Sequence, residues 1–183
     1  MDKSCPKYNI PQIFSLYNAG NPDAYAKLKG GNIAPCINGD IFFYQLQDGV
    51  YIKAYITGIP LTKSNGEQSR FHGFHIHQNG DCAIGTSQNP FPSTGNHFNP
   101  TNQPHPFHAG DLPPILSSNG IGILSVYTSY FNIEDIIGKS IILHENSDDF
   151  VTQPSGNSGS KLACGVIIPY KEWESTNLSN SAD

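Results

Sequence analysis

Apolar and polar residues alternate along much of this chain with a period of two. In residues 50–57, Val50, Ile52, Ala54 and Ile56 fall on one face, and Tyr51, Lys53 and Tyr55 on the other. Side chains of a strand point alternately to its two sides, so the pattern predicts a half-buried antiparallel strand. Residues 39–47 form a companion run, and the Asp48-Gly49 pair between the two predicts a hairpin. Further strands are expected at residues 24–29, 71–78, 121–128 (opened by Asn119-Gly120), 140–145 and 162–168. Two long stretches lack any period. Residues 79–120 are rich in Asn, Pro, Gly and Ser, and residues 147–160 in Gly and Ser. Loops of such length inside a compact domain are uncommon unless something binds there. With no repeat and no linker, the simplest architecture is one all-β domain, a β-sandwich or barrel with two long loops. Its expected extent is residues 23–171, after an N-terminal extension, 1–22, and before a C-terminal tail, 172–183.

Composition narrows the choice of partners. A chain of 183 residues can bury a sizeable core, and 18 Gly with 14 Pro suit a turn-rich β domain. A net charge of −5 argues against nucleic acid as the main partner. An anionic substrate would need a local cationic funnel, and the chain has ten cations, Arg70 being the sole arginine. Residues 1–6 lack the apolar run of a secretory leader, and no stretch has the length of a membrane-spanning helix. The expectation is a cytoplasmic protein without membrane contact. Four cysteines with no C-x-x-C spacing allow at most one or two bridges and no cysteine zinc site.

The seven histidines are His72, His75, His77, His97, His105, His108 and His144. His75 and His77 are two apart on an expected strand, so their rings share a face and can chelate one metal. His144 ends another strand. Taken alone, these three are weak signals. The long loop says more. His97, His105, His108 and Asp111 supply three imidazoles and a carboxylate within fifteen residues. That is a full tetrahedral zinc set with no place left for water, the mark of a structural site. A loop without regular structure gains most from it, because metal binding there is folding free energy.

Several motifs resemble those of the copper,zinc superoxide dismutases. Phe71-His-Gly-Phe-His-Ile-His77 resembles their H-G-F-H-x-H strand, and Gly95-Asn-His-Phe-Asn-Pro100 the loop with their bridging histidine. His108-Ala-Gly-Asp-Leu112, Leu143-His-Glu145 and Gly156-Asn-Ser-Gly-Ser-Lys-Leu-Ala-Cys-Gly-Val166 resemble the rest of their site. The similarity runs from about residue 24 to residue 170. It implies a Greek-key β-sandwich, or flattened eight-stranded barrel, with a zinc loop and an electrostatic loop. It implies copper on His75, His77, His97 and His144, and zinc on His97, His105, His108 and Asp111. His97 would bridge both metals and carry the proton of the reaction. His72 would steady the loop backbone. Asp148, four residues after His144, would take hydrogen bonds from one ligand of each metal. Asp149 is its adjacent rival, and spacing favours Asp148. The implied activity is dismutation of superoxide to oxygen and hydrogen peroxide. The competing reading is a non-catalytic relative that stores copper or keeps its metals for structure. A homodimer is allowed and is not specified by these motifs.

The resemblance also implies a bridge between Cys82 and Cys164. Cys82 directly follows Asn79-Gly-Asp81, a placement closer to the prokaryotic branch of the family. Cys5 and Cys36 have no family role; they pair with each other or are inert. The chief departure is Lys161, which stands where the family has an arginine beside copper. The charge is kept and the planar fork is lost. The expectation is that Lys161 guides superoxide to copper at a lower rate than arginine would. The plain alternative is an exposed, solubilising lysine. The loop before it holds no other Lys or Arg, so steering should depend less steeply on salt.

Overall fold

The computed structural model describes residues 20–171. Eight antiparallel strands close into a barrel: β1 (Ala24–Gly30), β2 (Asn38–Leu46), β3 (Gly49–Thr57), β4 (Phe71–His77), β5 (Asp111–Ser118), β6 (Ile121–Thr128), β7 (Ser140–His144) and β8 (Lys161–Pro169). Around the barrel the order is β1-β2-β3-β6-β5-β4-β7-β8. The chain therefore crosses from β3 past two places to β4 before returning through β5 and β6, which is a Greek-key path. Closure leaves no open sheet edge.

The inner faces follow the period of two. Val50, Ile52, Ala54 and Ile56 of β3 are wholly buried, and they join Leu28, Ile41, Phe43, Phe74, Ile76, Ile115 and Ile141 in one core. The outer face of β3 is less exposed than its sequence suggests. Lys53 is only 5 % exposed, and its ammonium lies 5.3 Å and 5.5 Å from the ring centres of Tyr44 and Tyr51. A long aliphatic stem covered by aromatic rings, with the charge over their faces, accounts for that burial.

Three local features differ from the sequence reading. The first hairpin turns at Gln47-Asp48, one residue earlier than expected, because Gly49 already pairs with Leu46. A Cβ at Gly49 would overlap the carbonyl of Thr128 on β6, so the glycine serves strand packing and not the turn. The Asn119-Gly120 turn does behave as read: both residues have positive φ, 50° and 77°, and Ser118 pairs with Ile121. The stretch 79–120 contains a strand, β5, that its sequence conceals. Pro113 and Pro114 cannot donate to a ladder and interrupt the alternation. Among the described residues there is also a short helix, α1 (Ile133–Ile136), closed by an Asn132–Asp135 capping box.

Cys82 and Cys164 are bonded, tying the start of the long loop to β8. Cys36 is disulfide-bonded as well. Cys5 lies outside the described residues, as does most of the expected extension 1–22 and all of the tail 172–183. No helix among the described residues is long and apolar enough to cross a membrane.

Candidate metal centre

Two irregularities in the strands shape the site. At Gly73 the β4–β5 register shifts, and at Leu143/His144 the β7–β8 register shifts. Such bulges re-aim the side chains beyond them. Past Gly73, Phe74 and Ile76 enter the core, while His75 and His77 point outward beneath the two long loops. The long loop then lies down on β4. Phe98 donates its N–H to the Ile76 carbonyl at 2.8 Å, and Ile76 donates to Gly110 at 2.9 Å. With Phe98 buried in the core, His97 is delivered directly beside His77.

All seven expected ligands converge, in two groups that share His97. His75, His77, His97 and His144 form one; His97, His105, His108 and Asp111 form the other. Within each group the donor atoms lie within 4.8 Å of one another. The rings of His75 and His97 are 4.0 Å apart between centres.

Hydrogen bonds set which ring nitrogen is free. His77 Nδ1 donates to the Gly95 carbonyl at 2.9 Å, and His144 Nδ1 to the Gly159 carbonyl at 3.3 Å. Their Nε2 lone pairs then face each other at 3.3 Å. Two acceptors at that distance repel unless a cation lies between them. His75 Nε2 donates to Asp148 at 2.8 Å, which leaves its Nδ1 bare. His75 Nδ1, His97 Nε2, His105 Nδ1 and His108 Nδ1 are all buried without a hydrogen-bond partner. Buried polar atoms of this kind are rare and need an explanation.

A cation supplies it. In the second group, Asp111 oxygens lie 2.7 Å from His97 Nδ1, 3.0 Å from His105 Nδ1 and 3.3 Å from His108 Nδ1. A tetrahedron of ligands at ~2.0–2.1 Å from zinc has edges of about 3.3 Å, so three imidazoles and this carboxylate fit that ion with little adjustment. The first group offers imidazoles only and opens to a cleft, a donor set that suits Cu(II). Both sites therefore fit the metals the sequence implied.

Burial favours the neutral, metal-binding form of His75, His77 and His144. It lowers the pKa of His75 to about 4 against the partial opposition of Asp148, and it pushes His77 and His144 well below the ordinary imidazole range. For Asp148, burial pulls upward, but hydrogen bonds from His75, the Phe150 amide and His105 hold it at about 2. His72 is buried and donates from Nδ1 to the His144 carbonyl at 2.9 Å. Asp149 instead closes its own turn, accepting from the amides of Val151 and Thr152.

Lys161 lines the cleft together with His77, His97 and His144. It is partly buried, not an exposed surface lysine, and burial lowers its pKa. Among the lining residues it is the one Lys or Arg, there is no carboxylate, and the rim is built largely of carboxamides such as Gln78, Asn99 and Gln103.

Three residues of the site escape the sequence reading. Gln153 accepts from the His105 amide at 3.0 Å and donates to the His105 carbonyl at 2.6 Å, which ties the two loops together. Gly156 lies against Asp148 and His105, and Thr94 against Lys161. Gly156 opens the Gly156–Val166 motif without a role read from it, and no motif or spacing marks Gln153 or Thr94, because each acts through a contact distant in sequence.

A family model described as copper/zinc superoxide dismutase matches residues 37–167. The chain is 34% identical over 164 residues to Superoxide dismutase (Cu-Zn) 3 of Arabidopsis thaliana, covering 81% of this chain and 91% of that protein. It is 34% identical over 149 residues to Superoxide dismutase (Cu-Zn) 4 of Dictyostelium discoideum, covering 72% and 90%. To the superoxide dismutase (Cu-Zn) of Deinococcus radiodurans it is 37% identical over 113 residues, covering 52% and 62%.

Proposed function

The chain belongs to the copper/zinc superoxide dismutase family, and from that premise we propose how its own residues divide the work of turning superoxide and protons into oxygen and hydrogen peroxide. It is an oxidoreductase that uses copper and zinc. We propose that His75, His77, His97 and His144 hold copper, and that His97, His105, His108 and Asp111 hold zinc. The observation that carries this reading is His97 itself. Its Nδ1 lies 2.7 Å from Asp111 within one donor group, while its Nε2 is buried and partnerless within the other.

Copper held there would supply a one-electron redox couple. The protein does the rest. Lys161, the cation of the cleft, draws the anion inward. His97 Nε2, in the part of the cycle in which it is not a copper ligand, would carry a proton and yield it to the reduced oxygen, while Nδ1 would stay in the zinc group and keep the ring in place. Asp148 fixes the rings of His75 and His105. The two long loops exclude water from all ligands except where the cleft opens.

The storage reading is disfavoured by that cleft: it reaches His77, His97 and His144 and carries a cation suited to an anionic substrate. The test is dismutase activity of the copper- and zinc-loaded protein beside His144→Ala. Activity that is lost in the variant is the expected result; an inactive, fully metallated wild type would overturn the reading. For Lys161, Lys161→Ala should lower kcat/KM and flatten its dependence on salt; unchanged values would remove the guiding role. A catalytic unit at residues 23–171, a homodimer and a cytoplasmic location complete the proposal, to be checked by truncation, sedimentation and fractionation.

A further inference from the structure

Lys161 has its ammonium protons committed. Nζ lies 2.7 Å from Thr94 Oγ1 and 3.3 Å from the carbonyls of both Phe91 and Gly95. An ammonium has three donors and no acceptor, so these contacts use them all. The shortest is to Thr94. That hydroxyl donates its own proton to the Phe91 carbonyl at 2.9 Å, which turns its lone pairs toward the lysine.

The turn that presents these acceptors is itself fixed. Pro92–Thr94 is a single 3-10 turn, Thr94 is wholly buried, and Asn79 donates its N–H to the Thr94 carbonyl at 3.0 Å. Phe91 packs against the Cys82–Cys164 bridge and Ile142. The Gly95 carbonyl also takes the Nδ1 proton of His77. One turn therefore holds both a ring of the open histidine group and the cation beside it.

A lysine on four flexible carbons normally keeps its ammonium in water and loses rotamer entropy when held. The two carbonyl contacts at 3.3 Å are long for hydrogen bonds of a charged group. Without the hydroxyl, little opposes rotation of the ammonium out of the cleft wall.

We propose that Thr94 is a positioning residue: its buried hydroxyl pins the Lys161 ammonium at the cleft wall, where it serves the incoming anion as a stationary point charge and not as a hydrogen-bond donor. The inference rests on the reading of Lys161 as the guiding cation. It separates charge from donation, which an arginine fork would combine.

The test measures azide affinity of the copper- and zinc-loaded protein by visible titration at low and high salt, with metal content checked for each protein. Thr94→Val, close to threonine in shape, should weaken azide roughly three- to tenfold, about the worth of one hydrogen bond, and flatten the salt dependence. Thr94→Ser should restore wild-type binding. Thr94→Ala, measured alongside, should match Thr94→Val and keeps the test open if the valine variant misfolds. Lys161→Met should weaken azide at least as much. Wild-type or tighter azide binding in both Thr94→Val and Thr94→Ala would overturn the pinning role, as would failure of the serine to restore it. Wild-type binding in Lys161→Met would instead overturn the reading of Lys161 on which the inference stands.

Discussion

Nε2 of His75 lies 2.8 Å from Oδ2 of Asp148, and both side chains are wholly buried. The other oxygen, Oδ1, meets Nε2 of His105 at 2.9 Å. A single carboxylate thus faces the N–H of one ring from each donor group. Both oxygens must accept, and only a carboxylate has two such ends. In Asp148→Asn one ring N–H would face an amide N–H. The expected result is a folded protein whose zinc affinity falls by about ten- to a hundredfold. Competition with a chelator measures it, and unchanged affinity would show that the bridge does not orient the rings.

Gly156 makes that bridge sterically feasible. Its φ is +64°, and a Cβ there would overlap Oδ1 of Asp148 and lie 2.7 Å from Nε2 of His105. An alanine must therefore adopt a strained backbone and push the carboxylate aside. Gly156→Ala should cost roughly 1–3 kcal/mol in the metal-free protein and weaken zinc in the same direction as Asp148→Asn. Denaturant titration of wild type and variant gives the first quantity. A variant as stable as wild type would mean that the loop shifts at no cost.

These residues also show what a sequence can disclose. His75 and His77 are legible because strand alternation fixes their relative direction, and His97, His105, His108 and Asp111 because they crowd one loop. Strand β5 is not legible: Pro113-Pro114 breaks its alternation, and its place is set by pairing with β4. The turn falls at Gln47-Asp48 and not at Asp48-Gly49, because Gly49 is required by its neighbour Thr128, far along the chain. The same holds for Gln153, Gly156 and Thr94. Gly156 opens a quoted motif, but the role of each residue emerges only when folding brings it to His105, Asp148 or Lys161.

Buried imidazoles make the metal-free protein sensitive to mild acid. Burial lowers the pKa of His75 from 6.5 to about 4 and displaces His77 and His144 in the same direction. The unfolded chain then binds protons that the folded one refuses. Their contribution to stability is complete above about pH 6.5 and is lost as pH falls toward 4; a shift of this size in one group is worth roughly 3 kcal/mol. Asp148, held at about 2, acts in a lower window: its contribution is present above about pH 4 and is lost as pH falls through 2. Urea midpoints of chelator-treated protein should therefore drop steadily from pH 7 to pH 4. A flat profile over that range would mean that these rings are not held neutral.

The Cys82–Cys164 bridge joins positions 82 residues apart and packs against Phe91, whose turn carries the partners of Lys161 and His77. In the chain-entropy model, closing a loop of that length contributes about 4–5 kcal/mol. Reductant would confuse the measurement, because Cys36 is also disulfide-bonded. The paired substitution Cys82→Ser and Cys164→Ser isolates this bridge. It should lower the unfolding free energy by about that amount and weaken azide binding to the metal-loaded protein, as loss of the Thr94 hydroxyl should. Lower stability with unchanged azide affinity would leave the bridge as a staple alone and detach it from the turn that positions the cation.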